Sequence, residues 1–167
     1  MDEVRIGLVG KYVELQDAYK SILESFVHAG AANELKVRVE MIHSEDINED
    51  NVSRFLGSLN GILVAPGFGS RGIEGKIMTV RYARENQIPF LGICLGMQMA
   101  CVEFGRNVLH LVDCNSTEFK REAENPVIDM MESQKQIHDL GGTMRLGKNP
   151  CELKENSLAF QIYQKAV

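Results

Sequence analysis

The chain has 167 residues, 44% hydrophobic and 25% charged, and carries a net charge of −5 from 23 acidic and 18 basic side chains. That balance suits one globular domain and excludes a disordered or fibrous chain. No apolar run approaches the roughly 18 residues that cross a bilayer, the acidic start Met1-Asp2-Glu3 lacks a secretory leader's basic region, and no basic stripe with interleaved aromatics points to nucleic acid.

Val4 to Val9 is a short apolar run ending at Gly10 and reads as a buried strand. Tyr19, Ile22, Leu23, Phe26 and Val27 then follow the spacing of one apolar helix face, with Asp17 as N-cap and Gly30 as the glycine past its end. Alternation of Val37, Val39 and Met41 predicts a second strand over Lys36–Ile42. Val52, Phe55, Leu56 and Leu59 mark a second amphipathic helix. A third strand, Gly61 to Ala65, is stopped by Pro66. A glycine-rich turn leads to a helix running to about Asn86 with Ile77 and Val80 inward. Pro89 to Ile93 is a fourth strand and Leu95 to Phe104 a fourth helix.

Continuous apolar strands alternating with amphipathic helices predict an α/β fold. Right-handed crossovers make it a doubly wound, mostly parallel sheet of the flavodoxin-like kind. Ligands in such sheets bind beyond the carboxyl ends of the strands, which here carry Gly10, Pro66-Gly67-Phe68-Gly69 and Cys94. Downstream the pattern loosens. Val108 to Val112 reads as a strand or helix end, Asn115 to Asn125 as a polar loop, Val127–Met131 and Thr143–Leu146 as short strands, and Glu155–Gln164 as a helix region. A single domain over residues 1–167, incomplete at its C-terminus, is expected.

The four cysteines, Cys94, Cys101, Cys114 and Cys151, form no C-x-x-C and no disulfide framework, so reduced thiols and a cytoplasmic location are expected. His28, His43, His110 and His138 lack metal-ligand spacing, and no metal site is expected.

Gly92-Ile93-Cys94-Leu95-Gly96 is a G-x-C-x-G between a predicted strand and a predicted helix, the layout of a nucleophile elbow. The flanking glycines make room for a strained turn that presents the thiol at the top of the sheet. A helix N-terminus favours thiolate over thiol, and the Leu95 N–H is placed to donate to an oxyanion. A buried structural cysteine is the plainer reading, which the paired glycines disfavour. Gly67 offers a second oxyanion donor from the neighbouring strand end, since glycine lets a backbone approach a substrate closely. Gly67, Gly69 and Gly72 also spell G-x-G-x-x-G, but the next strand ends in the cysteine turn where a dinucleotide site wants an acidic residue. Gly7-x-x-Gly10-Lys11 falls short of a P-loop in spacing and lacks the following Ser or Thr.

Pro66-Gly67-Phe68-Gly69, with Gly92-Ile93-Cys94-Leu95-Gly96-Met97-Gln98 about 25 residues on, resembles the class I glutamine amidotransferases. Finer text resembles the glutaminase domains of the CTP synthases: Gly10-Lys11-Tyr12-Val13-Glu14-Leu15 with Asp17-Ala18-Tyr19-Lys20-Ser21, Arg71-Gly72-Ile73-Glu74-Gly75-Lys76, Asn115-Ser116-Thr117-Glu118-Phe119, and Gly141-Gly142-Thr143-Met144-Arg145-Leu146-Gly147. The resemblance runs from about Val4 to the end. It implies that Cys94 attacks the side-chain amide of L-glutamine, giving a thioester and ammonia, with Gly67 and Leu95 holding the oxyanion. It implies glutamine binding by Gly67, Phe68, Leu95, Gly96, Met97, Gln98 and Glu118, the last suiting an ammonium group. It further implies a separate amidoligase domain, absent here, that uses the ammonia with ATP and magnesium to convert UTP to CTP in a homo-oligomeric enzyme. GTP would be the allosteric effector, through the loop carrying Arg71 and Gly72. No cofactor is expected in the glutaminase domain itself.

The sequence departs from the family in two places. It reads Ala65-Pro66-Gly67 where many relatives carry Pro-Gly-Gly. It also ends before the downstream His-x-Glu pair and the Arg/His-rich glutamine-contacting segment, so little glutamine turnover is expected of these residues alone. His138, in Gln136-Ile137-His138-Asp139, is a poor substitute base. Two other readings are a non-catalytic regulatory or binding domain of the same fold, and a cysteine hydrolase or chaperone-like relative. The latter accounts for G-x-C-x-G but not for Gln98, Glu118 and the Thr-Met-Arg-Leu stretch together.

Overall fold

The structure, a computed structural model, describes residues 2–129 and 150–163. The chain divides into two compact units, Met1–Met130 and Met131–Val167. In the first, β1 (Glu3–Gly10) is followed by a 3₁₀ turn (Gln16–Tyr19) and α1 (Lys20–Ala32), then β2 (Lys36–His43), α2 (Val52–Leu56), β3 (Gly61–Val64), α3 (Ile73–Glu85), β4 (Phe90–Gly92) and α4 (Leu95–Asn107). β5 (Cys114–Ser116) and β6 (Asn125–Ile128) form a separate two-stranded parallel ladder.

The main sheet is wholly parallel in the order β2-β1-β3-β4. This is the doubly wound arrangement expected, with its switch point between β1 and β3. Alternation along the strands feeds two cores. Leu8 and Leu63 point to one face, where Tyr19, Ile22, Leu23 and Phe26 cover them. Val9, Ile62 and Val64 point to the other, against Leu56, Val80 and Ala83. A third cluster of Ile73, Ile77, Leu95, Met99 and Val102 fastens α3 to α4. Each such side chain, fully buried, contributes about 1.5–3 kcal/mol.

Several boundaries differ from expectation. Asp17 lies inside the 3₁₀ turn, and α1 begins after Tyr19 with no side-chain cap. Gly30 is a buried residue of α1, which runs on to Ala32. A side-chain carbon at Gly30 would sit 2.8 Å from the Leu35 carbonyl oxygen, so this glycine serves close helix–strand packing. Val27 is exposed, so it leaves the apolar face. α2 is shorter than predicted, although Leu59 beyond it is buried. β4 covers only Phe90–Gly92, while α4 runs three residues past Phe104. Val108–Val112 forms no strand. The stretch read as a polar loop contributes the end of β5 and the start of β6.

In the second unit the described helix is α5 (Leu158–Tyr163). Ser157 caps it, its Oγ accepting the Phe160 N–H at 3.1 Å. Thr143–Leu146, the Gly141–Gly147 motif and His138 lie outside the described residues. Among the described residues no helix is long and apolar enough to cross a membrane.

Candidate active site

Cys94 stands between β4 and α4 with φ 52° and ψ −110°. A non-glycine residue is rarely found there, and the surrounding structure has to impose it. The two flanking glycines supply the room. A side-chain carbon at Gly92 would lie 2.6 Å from the Gly96 carbonyl carbon and the Met97 nitrogen. One at Gly96 would lie 2.1 Å from the Val64 carbonyl oxygen. The start of α4 therefore rests directly on the end of β3, where the Ile93 N–H also donates to the Val64 carbonyl at 3.1 Å. The turn leaves Cys94 exposed while Leu95 is buried behind it.

The Pro66–Gly69 turn follows β3 and meets this elbow. A side-chain carbon at Gly67 would come 3.5 Å from Leu95 Cδ2 and 3.6 Å from Lys11 Cδ. Among the described residues, neither the Gly67 nor the Leu95 N–H has a hydrogen-bond acceptor. Two unengaged amide donors thus belong to two turns that meet at Leu95, the residue after the exposed Cys94. Phe68 and Gln98 are half-buried and Met97 exposed, on the two segments that flank Cys94.

Glu118 reaches the same place from the loop after β5. The Gly69 N–H donates to its Oε1 at 2.9 Å. Asp113 holds that loop, accepting from Lys120 Nζ at 2.7 Å and from the Glu124 N–H at 3.2 Å. The Lys120 hydrogen bond keeps the Asp113 carboxyl below the usual carboxylate range.

Two lysines that the sequence did not single out line the turn from below. Lys11, after β1, is 2% exposed. Its Nζ donates to the Phe68 carbonyl at 2.7 Å and also to the Gly69 carbonyl. Burial pushes its pKa down, opposed by Glu118. Lys76, on α3, is 0% exposed and donates to the Ala65 carbonyl at 2.5 Å. Burial, and then Lys11, lowers its pKa to about 7. A signal for Lys76 existed: it occupies the core stripe Ile73, Lys76, Ile77, Val80.

Arg71 is exposed beside the turn. Its guanidinium pairs with Glu45 at 2.6 Å, donates to the Lys11 carbonyl at 3.3 Å, and lies 5.9 Å from the Tyr12 ring centre. Gly72 is the left-handed residue that starts α3. His43-Ser44-Glu45 spells His-x-Glu, but at the end of β2, three strand spacings or about 14 Å across the sheet from β4. Among the described residues no group of three or more His, Cys, Asp or Glu could hold a metal ion.

The family model for class I glutamine amidotransferases matches residues 14–165. The CTP synthase of Flavobacterium johnsoniae is 65% identical over 160 residues, 96% of this chain and 30% of the relative. That of Cytophaga hutchinsonii is 62% identical over 166 residues, 99% of this chain and 31% of the relative. The chain thus spans about a third of the length of these relatives. Among solved structures, the glutaminase domain of Trypanosoma brucei CTPS with bound acivicin superposes with a TM-score of 0.80 at 33% identity, covering 96% of this chain and 62% of that one. By fold and by sequence, the chain belongs to the class I glutamine amidotransferases, and the part of that family it matches is the glutaminase domain of CTP synthases.

Proposed function

We propose that this chain is the glutamine-hydrolysing part of an enzyme that makes CTP. The Cys94 thiolate attacks the side-chain amide carbon of L-glutamine. The Gly67 and Leu95 N–H groups receive the negative charge that develops on the carbonyl oxygen. The tetrahedral species collapses as the C–N bond breaks, releasing ammonia and leaving a thioester, which water opens to glutamate. Glutamine lies along Gly67, Phe68, Leu95, Gly96, Met97 and Gln98, with Glu118 facing its ammonium group. The ammonia serves a separate synthetase domain, where UTP is aminated to CTP with ATP and magnesium. GTP acts as effector through the Arg71–Gly72 loop. The full enzyme is a cytoplasmic homo-oligomer.

The observation that supports this reading best is the meeting of two turns at one exposed, strained cysteine, each turn with an unengaged amide hydrogen. The 167 residues contain no His-x-Glu after Cys94. A thiol nucleophile needs a base that takes its proton and returns it to the leaving amine. These residues alone are therefore expected to react with activated glutamine analogues yet turn over little glutamine.

The test uses the chloroketone analogue of glutamine, in which a chloromethyl group replaces the amide nitrogen. Peptide mass spectrometry is expected to find it on Cys94 in preference to Cys101, Cys114 and Cys151, with excess L-glutamine protecting. Equal labelling of exposed Cys101 and Cys151, or no protection, would leave a binding domain without the chemistry. Full ammonia release that is lost in Cys94→Ala but kept in His138→Ala would overturn the account of the missing base.

A further inference from the structure

Lys76 is an amine in a place built for a hydrocarbon. It is fully buried on the core stripe of α3, and among the described residues its amine donates to one acceptor, the Ala65 carbonyl. Removing an ammonium from water for a single neutral hydrogen bond is costly, and a methionine of similar length would fill the same volume without that cost. Lys11 adds a second buried ammonium that repels it.

Both lysines point at one short segment. Lys76 takes the carbonyl of Ala65, just before Pro66. Lys11 takes the carbonyls of Phe68 and Gly69. The Ala65 N–H is itself fixed to the Val9 carbonyl at 2.9 Å. Between the two anchors lie Pro66, whose ring locks φ, and Gly67. Once the peptide plane at Ala65–Pro66 is held, only ψ of Pro66 remains free to turn the Gly67 N–H.

We infer that Lys76 is a positioning residue: by gripping the Ala65 carbonyl it aims the Gly67 N–H at the carbonyl oxygen of a substrate on Cys94. This role rests on the glutaminase reading above and adds a residue to it. Among the described residues Lys76 donates no hydrogen bond to a reacting atom, and at pH 8, above its pKa of about 7, little of its charge is left to act on Cys94. It acts through the backbone of the turn.

The test compares two thiol reagents at pH 8 on the full 167-residue chain, wild type against Lys76→Met. The glutamine chloroketone reacts through attack at a carbonyl and so uses the oxyanion donors. Iodoacetamide reacts by direct displacement and does not. The Met variant is expected to lose at least about tenfold in chloroketone rate while its iodoacetamide rate at Cys94 holds. Lys76→Gln, which keeps an uncharged N–H donor, is expected to recover most of the chloroketone rate. An unchanged chloroketone rate in Lys76→Met overturns the role, as does a parallel fall with both reagents. So does a Met variant that fails to fold, since the lysine would then be holding the core. A wild-type chain that iodoacetamide labels at Cys94 but chloroketone does not would sink the glutaminase reading itself, and the role with it.

Discussion

Cys94 carries a backbone conformation that glycine would adopt without strain. Cys94→Gly is accordingly expected to stabilise the chain by about 1 kcal/mol while abolishing chloroketone labelling. Urea denaturation and mass spectrometry read the two halves of that trade. Gly96→Ala goes the other way, because the new methyl would sit 2.1 Å from the Val64 carbonyl oxygen. It is expected to cost about 3 kcal/mol or more and to lower the urea midpoint. The elbow was legible in the sequence because two glycines around a cysteine between a strand and a helix have few other uses. Lys11 and Lys76 were not legible. Lysine is so rarely buried that a strand-end lysine and a helix lysine read as solvated charges. Only the apolar company of Lys76 along α3 marked it. Glu118 stood out only through resemblance, since nothing local says that its loop reaches Gly69 from 49 positions away.

At the scale of elements, the two turns keep their spacing because α3 and α4 are fastened together. Besides their shared apolar cluster, Glu103 on α4 is buried and accepts two hydrogen bonds from Arg84 Nε, both at 3.1 Å, and one from Arg84 Nη2 at 2.8 Å. Asn107 Nδ2 adds another at 3.1 Å. Arg84→Met leaves that carboxylate buried without its cation and is expected to destabilise by about 3 kcal/mol. Arg84→Met with Glu103→Leu is expected to recover most of the loss, and thermal unfolding of both variants checks it. Existence and type of β1 to β4 and α1 to α4 followed from periodicity, because helices and strands bury their apolar residues at different spacings. Their ends did not, for tertiary reasons. Gly30 looks like a terminator but is a packing residue against Leu35. The 115–125 stretch looks like a loop because its share of the short ladder is polar: Asn115 pairs with Pro126, and Asn125 with Cys114.

For the whole molecule, Lys76 links the site to stability. Its pKa is about 7 in the fold against an ordinary value of 10.5. Between those values the unfolded chain binds the extra proton, so the burial cost is full below pH 7 and is relieved as pH rises toward 10.5. Wild type is expected to gain on the order of a few kcal/mol across that window relative to Lys76→Met. The Met variant is expected to be the more stable of the two at pH 6. Urea midpoints of both chains at pH 6, 7 and 9 isolate the contribution, since every other titrating group is common to them. The doubly wound topology gathers the ends of β1, β3 and β4 at one rim, and the proposed chemistry depends on what those ends share. The most direct measurement is a crystal structure of the Cys94 adduct with the glutamine chloroketone. The adduct oxygen is expected within about 2.7–3.1 Å of both the Gly67 and the Leu95 nitrogens. An oxygen turned toward solvent, or held by one of them alone, would contradict it.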